Sequence, residues 1–196
     1  MESPIDYYRE RAGYYKKQLS EIQSRYQLIS FLRLVSFLAF LIAGYQWLSL
    51  RSGFLLALAI FSIICFVILV RVALKLNDKK ALLQKLLFIN ENEISILQHQ
   101  PSGFNDAQQL ATNDDYSGDL DIFGPSSLFQ LLNRTTTYHG TRQLAGLLQH
   151  PLLSKETIEL YQQAVQTLAP QKDLRQLITA YGIRSEEHTS ELQSPI

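Results

Sequence analysis

The chain has 196 residues, enough for one or two domains with a real core. Charged residues make up 18%, below the usual quarter, and apolar residues 46%. The net charge of zero excludes a global basic field of the kind that draws nucleic acid, and the single cysteine, Cys65, excludes an internal disulfide. The apolar residues are very unevenly placed along the chain, and their distribution says more than their total.

Residues 1–33 predict a cytoplasmic amphipathic helix. Tyr15, Leu19, Ile22, Tyr26 and Ile29 recur at heptad-like spacing, with Lys, Arg, Glu and Gln on the other face. Residues 34–70 then predict a two-helix transmembrane hairpin. "LVSFLAFLIAGYQWLSL" (34–50) has no charge over 17 positions, and "GFLLALAIFSIICFVILV" (53–70) has none over 18, of which 13 are Leu, Ile, Val or Phe. An 18-residue helix covers roughly 27 Å, close to the thickness of bilayer hydrocarbon. Thirteen such side chains contribute on the order of −4 to −8 kcal/mol on insertion. The first run is weaker, because Ser36, Gln46 and Ser49 lie inside it, and it can insert together with its neighbour. A signal peptide fits poorly, since the first run begins more than 30 residues in. A buried soluble hairpin is the competing reading; two uninterrupted runs of this length are rare in soluble cores. Cys65, inside the second run, is expected to be a small packed hydrophobe.

Only Arg51 and Ser52 separate the two runs, so the turn must be tight and the helices antiparallel. Arg25 and Arg33 precede the first span, and Arg71, Lys75, Lys79 and Lys80 follow the second, against one Arg in the turn. The positive-inside rule therefore predicts a two-pass protein of the bacterial cytoplasmic (inner) membrane with both ends cytoplasmic. Tyr45 and Trp47 suit an interfacial belt near the outer end of the first span, and Arg33 can snorkel to the inner headgroups. Residues 71–97 predict a juxtamembrane helix with Leu76, Leu83, Leu87 and Ile94 on one stripe. The flanking stripes either form a stalk or dimerisation surface or simply cover each other. The second is the simpler account, because two to three heptads are short for a coiled coil.

Residues 98–118, "QHQPSGFNDAQQLATNDDYSG", are polar and broken by Pro101, Gly103 and Gly118, which predicts a linker. Asp114, Asp115, Asp119 and Asp121 form a loose acidic group, but without the Gly and Glu placement of a calcium loop. From residue 119 to 183 the pattern is densely helical. Pro125 and Ser126 can begin a helix carrying Leu128, Leu131 and Leu132. A second helix runs from about Tyr138 to Gln149 and is stopped by Pro151. Ser154 is a candidate N-cap for a third, with Ile158, Tyr161, Val165 and Leu168 at helical spacing. Pro170 ends that one, and Leu174, Leu177 and Ile178 begin a fourth.

The segment "DLDIFGPSSLFQLLNRTTTYHGTRQLAGLLQHPL", Asp119 to Leu152, resembles the start of the helical core (lever) domain of the MutS mismatch-repair ATPase family. The family pattern is an acidic-apolar opening and a Ser-Leu helix start. Leu-x-x-Thr-x-Thr-x-x-Gly-x-Arg, a Leu-rich helix and a Pro-Leu follow. Leu132, Thr135, Thr137, Gly140, Arg142, Leu144, Pro151 and Leu152 fit it, as does the later "I-x-x-x-Q-x-A-V" of Ile158 to Val165. Two positions depart from the pattern: Tyr161 stands where the family often has Arg, and Tyr138 where many members have Pro. The hairpin resembles that of a membrane-anchored MutS-related branch in bacteria. The resemblance implies an all-α chain: a transmembrane hairpin with juxtamembrane helices, then the start of a lever domain. It implies a parent that is an ATPase using ATP and Mg, with DNA as a partner and a homodimeric assembly. Thr135, Thr137, Gly140, Arg142 and Pro151 are expected to be structural members of the motif rather than catalytic.

Chemistry-bearing patterns are otherwise scarce. The sequence holds no G-x-x-x-x-G-K-[ST] loop, so a phosphate-cradling ATP site is expected further along the parent. Membrane helices stand where a repair MutS protein has its mismatch-reading domain. Arg134 and Arg142 alone do not make a phosphate-tracking patch. His99, His139 and His150 are isolated from other metal-ligand types, and Ser126 and Ser127 lack a base and suit capping. No catalytic, cofactor-binding or metal site is therefore expected within the chain. The alternative to a MutS-like parent is a non-enzymatic membrane scaffold whose cytoplasmic helices bind a partner or self-associate.

The end of the chain reads differently. "RSEEHTSELQS", Arg184 to Ser194, resembles the translation of a common sequencing adapter, so residues 184–196 are read as a non-native tail. That tail holds one Arg and three Glu, which leaves 17 basic and 15 acidic residues and a net charge of +2.

Overall fold

In a computed structural model of the chain, the structure describes residues 3–111, 120–150 and 152–193. The fold is all-α among these residues. Helix α1 spans Pro4–Leu50 and α2 spans Gly53–Leu97. A single 3-10 turn, Gln108–Leu110, follows. The remaining helices are α3 (Leu128–Leu132), α4 (Tyr138–Gln149), α5 (Lys155–Leu168) and α6 (Lys172–Gln193). The chain divides into two compact units, residues 15–84 and residues 1–14 with 85–196, and both long helices contribute to both.

The first unit is an antiparallel helical hairpin. Arg51 turns the chain with a left-handed φ of 50°, and its N–H donates to the Trp47 carbonyl. Cross-helix pairs recede from the turn on both sides: Ser36 Oγ donates to the Ser62 carbonyl at 2.7 Å, Phe37 meets Phe66 at 5.7 Å, and Lys80 lies over the Tyr26 ring. Small residues line the seam. Ala43, Ala59, Ser62 and Ala73 are buried, which lets the two backbones approach closely. Tyr15, Ile22 and Leu83 close the end away from the turn. The stripe expected after the second span is displaced: Leu83, Leu86 and Ile89 are buried, whereas Leu76, Leu87 and Ile94 are half-buried.

The large apolar side chains of the hairpin point outward. Phe31, Ile42, Phe54 and Phe61 are all exposed. Of the most apolar 18-residue window in each helix, only 6% and 11% is buried. Both helices are long and apolar enough to cross a membrane, and low burial distinguishes them from the core helices of a soluble protein.

The second unit has its core around Ala107, Phe129 and Ala145, with Phe123, Leu144 and Leu148 packed on it. Residues 98–111, read as the start of a linker, contribute to this core. Phe104 and Ala107 are buried, and the Phe104 ring meets Phe88 of α2 edge-on. Polar side chains do the folding that apolar spacing did not announce. Asn92 Oδ1 accepts from the Gly103 N–H, Asn105 Oδ1 from the Ala107 N–H, and Gln130 Nε2 donates to the Phe104 carbonyl at 3.0 Å. The start of α3 also differs from expectation. Gly124 and Ser126 both have positive φ and form a turn, so the helix begins at Leu128 with Ser127 as its N-cap. Of the four acidic residues read as a loose group, Asp114, Asp115 and Asp119 lie outside the described residues. Asp121 is exposed.

Candidate functional site

The connection between α3 and α4, Asn133 to Thr137, is held by its own side chains. Asn133 caps the C-terminus of α3 and is almost fully buried. Its amide donates to the Asn105 carbonyl at 2.9 Å, while its Oδ1 accepts from the Thr135 N–H at 2.8 Å and the Thr135 hydroxyl at 2.6 Å. The Thr135 hydroxyl also meets that of Thr141 at 3.0 Å. Thr137 is the N-cap of α4, accepting from the Gly140 N–H at 3.1 Å. These are the freed backbone groups that short hydroxyl and amide side chains satisfy at a helix junction.

Thr136 has a different task. It lies against Gly182 of α6 so closely that a Cβ added at Gly182 would collide with its Oγ1 and approach its Cβ to 2.8 Å. A glycine inside a helix costs about 1 kcal/mol relative to alanine, and this contact is the reason for it. At Gly140 an added Cβ would meet Thr135 and Thr137, so the close neighbour is the connection itself. Arg142 donates to the Tyr138 hydroxyl at 3.2 Å and stacks over that ring, the residue one helical turn before it. Pro151 lies outside the described residues.

Arg134 joins the connection to α2. Its guanidinium grips Glu93 at two points, Nε to Oε1 at 2.5 Å and a terminal nitrogen to Oε2 at 2.8 Å. The other terminal nitrogen donates to the carbonyls of Leu131 and Asn133 at the end of α3, and the whole group lies over the Phe104 ring at 4.7 Å. A planar fork suits this combination of carboxylate, helix C-terminus and ring, and a lysine could not supply it. Nearby, Asn90 and Gln176 exchange side-chain hydrogen bonds at 3.3 and 3.0 Å, both buried, and Asn90 also donates to the Leu86 carbonyl. On α1, Arg11 pairs with Asp173 of α6. The ends of the two long helices are thus bonded to residues of α6 and of the connection.

Tyr8 of α1 is half-buried beside this network. Burial, with Glu93 nearby, holds its phenol above the ordinary tyrosine range, partly offset by Arg175 and Arg134. Among the described residues no cluster of three metal-ligand side chains occurs. The sequence pointed to Thr135, Thr137 and Gly140. It did not point to Glu93, Asn90, Gln176 or Gly182. Gly182, a glycine inside an apolar-periodic helix, was the one signal that could have been used.

Residues 107–185 match the family model of MutS domain III, which supports a relationship between this region and the MutS family. The match begins at buried Ala107, twelve residues before the expected boundary, and takes in both Thr136 and Gly182. No curated protein and no solved structure matches the chain.

Proposed function

We propose that the chain is the N-terminal part of a membrane-anchored MutS-related protein. The carrying observation is that a region matching MutS domain III follows, in one chain, two helices long and apolar enough to span a bilayer. In this reading residues 34–70 cross the bacterial cytoplasmic membrane, and the charges of Arg25, Arg33, Arg71 and Lys75 hold both ends on the cytoplasmic side. The second long helix runs on past residue 84 into the second unit, where its Glu93 and Asn90 meet Arg134 and Gln176. The ATPase site with its Mg, the DNA clamp and the main dimer contacts belong to the parent, beyond this chain. The family match ends at residue 185, two residues into the segment that resembles an adapter.

Two experiments test the reading. The gene is sequenced past codon 183: a downstream G-x-x-x-x-G-K-[ST] loop is expected, and an early stop codon would overturn the MutS-like parent. A reporter fused after Leu87 is expected to be cytoplasmic; a periplasmic signal would overturn the orientation.

A further inference from the structure

A cavity of about 230 Å³ lies within the second unit, and its wall includes Tyr8, Glu93, Arg134, Lys172 and Arg175. It is smaller than the usual ligand pocket of about 300 to 1,000 Å³, so it suits a small group rather than a whole cofactor. Its charges do not balance. Glu93 is consumed by the two-point pair with Arg134, and the neighbouring Asp173 is engaged by Arg11. Lys172 and Arg175 have no carboxylate partner among the described residues. The Lys172 ammonium sits over the Tyr7 ring at 4.1 Å, and Arg175 gives one terminal nitrogen to the Ala169 carbonyl at 3.1 Å, leaving its other N–H groups free. Two positive charges therefore remain at the wall. The Tyr8 hydroxyl makes no hydrogen bond among the described residues, and as a neutral phenol it can donate one. Ile89 and Leu168 supply an apolar side.

We propose that this cavity binds a phosphate dianion, free or as the headgroup of a monoester, through Arg175, Lys172 and the Tyr8 hydroxyl. Charge and donor geometry both fit: a phosphate offers several acceptor oxygens, and Arg and Lys recognise it as fork and point charge respectively. Arg134 stays with Glu93 and shapes the wall without holding the ligand.

The test is calorimetric titration of inorganic phosphate into the full chain held in nanodiscs of neutral phosphatidylcholine, at low salt and pH 7.5. One saturable site is expected. Lys172→Gln and Arg175→Gln are each expected to weaken it about tenfold, and Arg142→Gln, remote from the cavity wall, to leave it unchanged. Circular dichroism is expected to show each variant with the helix content of the wild type. Tyr8→Phe, which preserves the ring, is expected to weaken binding by a smaller factor. Absence of saturation, or equal binding by wild type and the Lys172→Gln/Arg175→Gln double variant, overturns the proposal. A second arm places phosphatidic acid in the nanodisc. Loss of the phosphate signal there assigns the site to a lipid headgroup, and an unchanged signal assigns it to a soluble phosphate; both keep the dianion.

Discussion

Replacing Arg134 by alanine is the most informative single change in the second unit. The side chains of Arg134 and Glu93 are 30% and 16% exposed, so the pair is largely shielded from water and screening is incomplete. The substitution removes two charge-assisted hydrogen bonds to Glu93 and two to the carbonyls at the end of α3. A hydrogen bond to a charged group is worth about 1.5–3 kcal/mol, but these bonds share one guanidinium and cannot be summed. With Glu93 left half-buried and unpaired, the expected loss is about 2–4 kcal/mol. Glu93→Gln keeps the shape and one acceptor and is expected to cost about half as much. A double-mutant cycle is expected to return a coupling of about 1–2 kcal/mol. Native-state hydrogen exchange is the suitable assay, because it reads α3, the connection and the end of α2 separately from the hairpin. The lone tryptophan, Trp47, lies in the hairpin unit and its fluorescence serves as a control that should not change. A loss below about 0.5 kcal/mol, or additive single variants, would refute the bridge.

Three further outcomes follow from the same geometry. Gly182→Ala normally stabilises a helix by up to about 1 kcal/mol, but here the added methyl meets Thr136, so a net loss of about 1–2 kcal/mol is expected in urea unfolding; a gain would refute the contact. Thr137→Ala removes the cap of α4 and is expected to cost about 1 kcal/mol, with exchange protection falling in the first turn; unchanged protection there would refute the capping role. The Ser154 hydroxyl holds Glu156 below the ordinary glutamate range of about 4.5. A depressed carboxylate supports the folded state above that value and loses its contribution as pH falls through the folded pKa. An NMR titration is therefore expected to show Glu156 below 4.5 in the wild type and shifted upward in Ser154→Ala, and coincident curves would refute the bond.

The legible features of the sequence were those written in local spacing. Seventeen and eighteen uncharged positions, split by Arg51 and Ser52, dictate two long apolar helices and a tight turn. Thr137 and Ser154 stand just ahead of segments with helical apolar spacing, and both act as N-caps, because a side-chain oxygen needs only a neighbouring N–H. The features that were not legible depend on residues far apart. Glu93 and Arg134 are 41 positions apart, Asn90 and Gln176 are 86, and nothing in a local pattern pairs them. The polar stretch ending at Ala111 misled for a related reason: Asn92, Asn105 and Gln130 look like loop composition but bind its backbone into the core. The open face of α5 follows the same logic. Ile158, Tyr161 and Val165 have helical spacing, yet they are exposed, since spacing forms a stripe without supplying its cover.

The central claim is that one chain joins a membrane anchor to a MutS-type lever region, and alkaline carbonate extraction of cell membranes tests it most directly. The full chain is expected to remain in the pellet, and to stay there when Arg25, Arg33, Arg71 and Lys75 are replaced by Gln, because insertion rests on the apolar spans. Recovery of the wild-type chain in the carbonate supernatant would contradict the account.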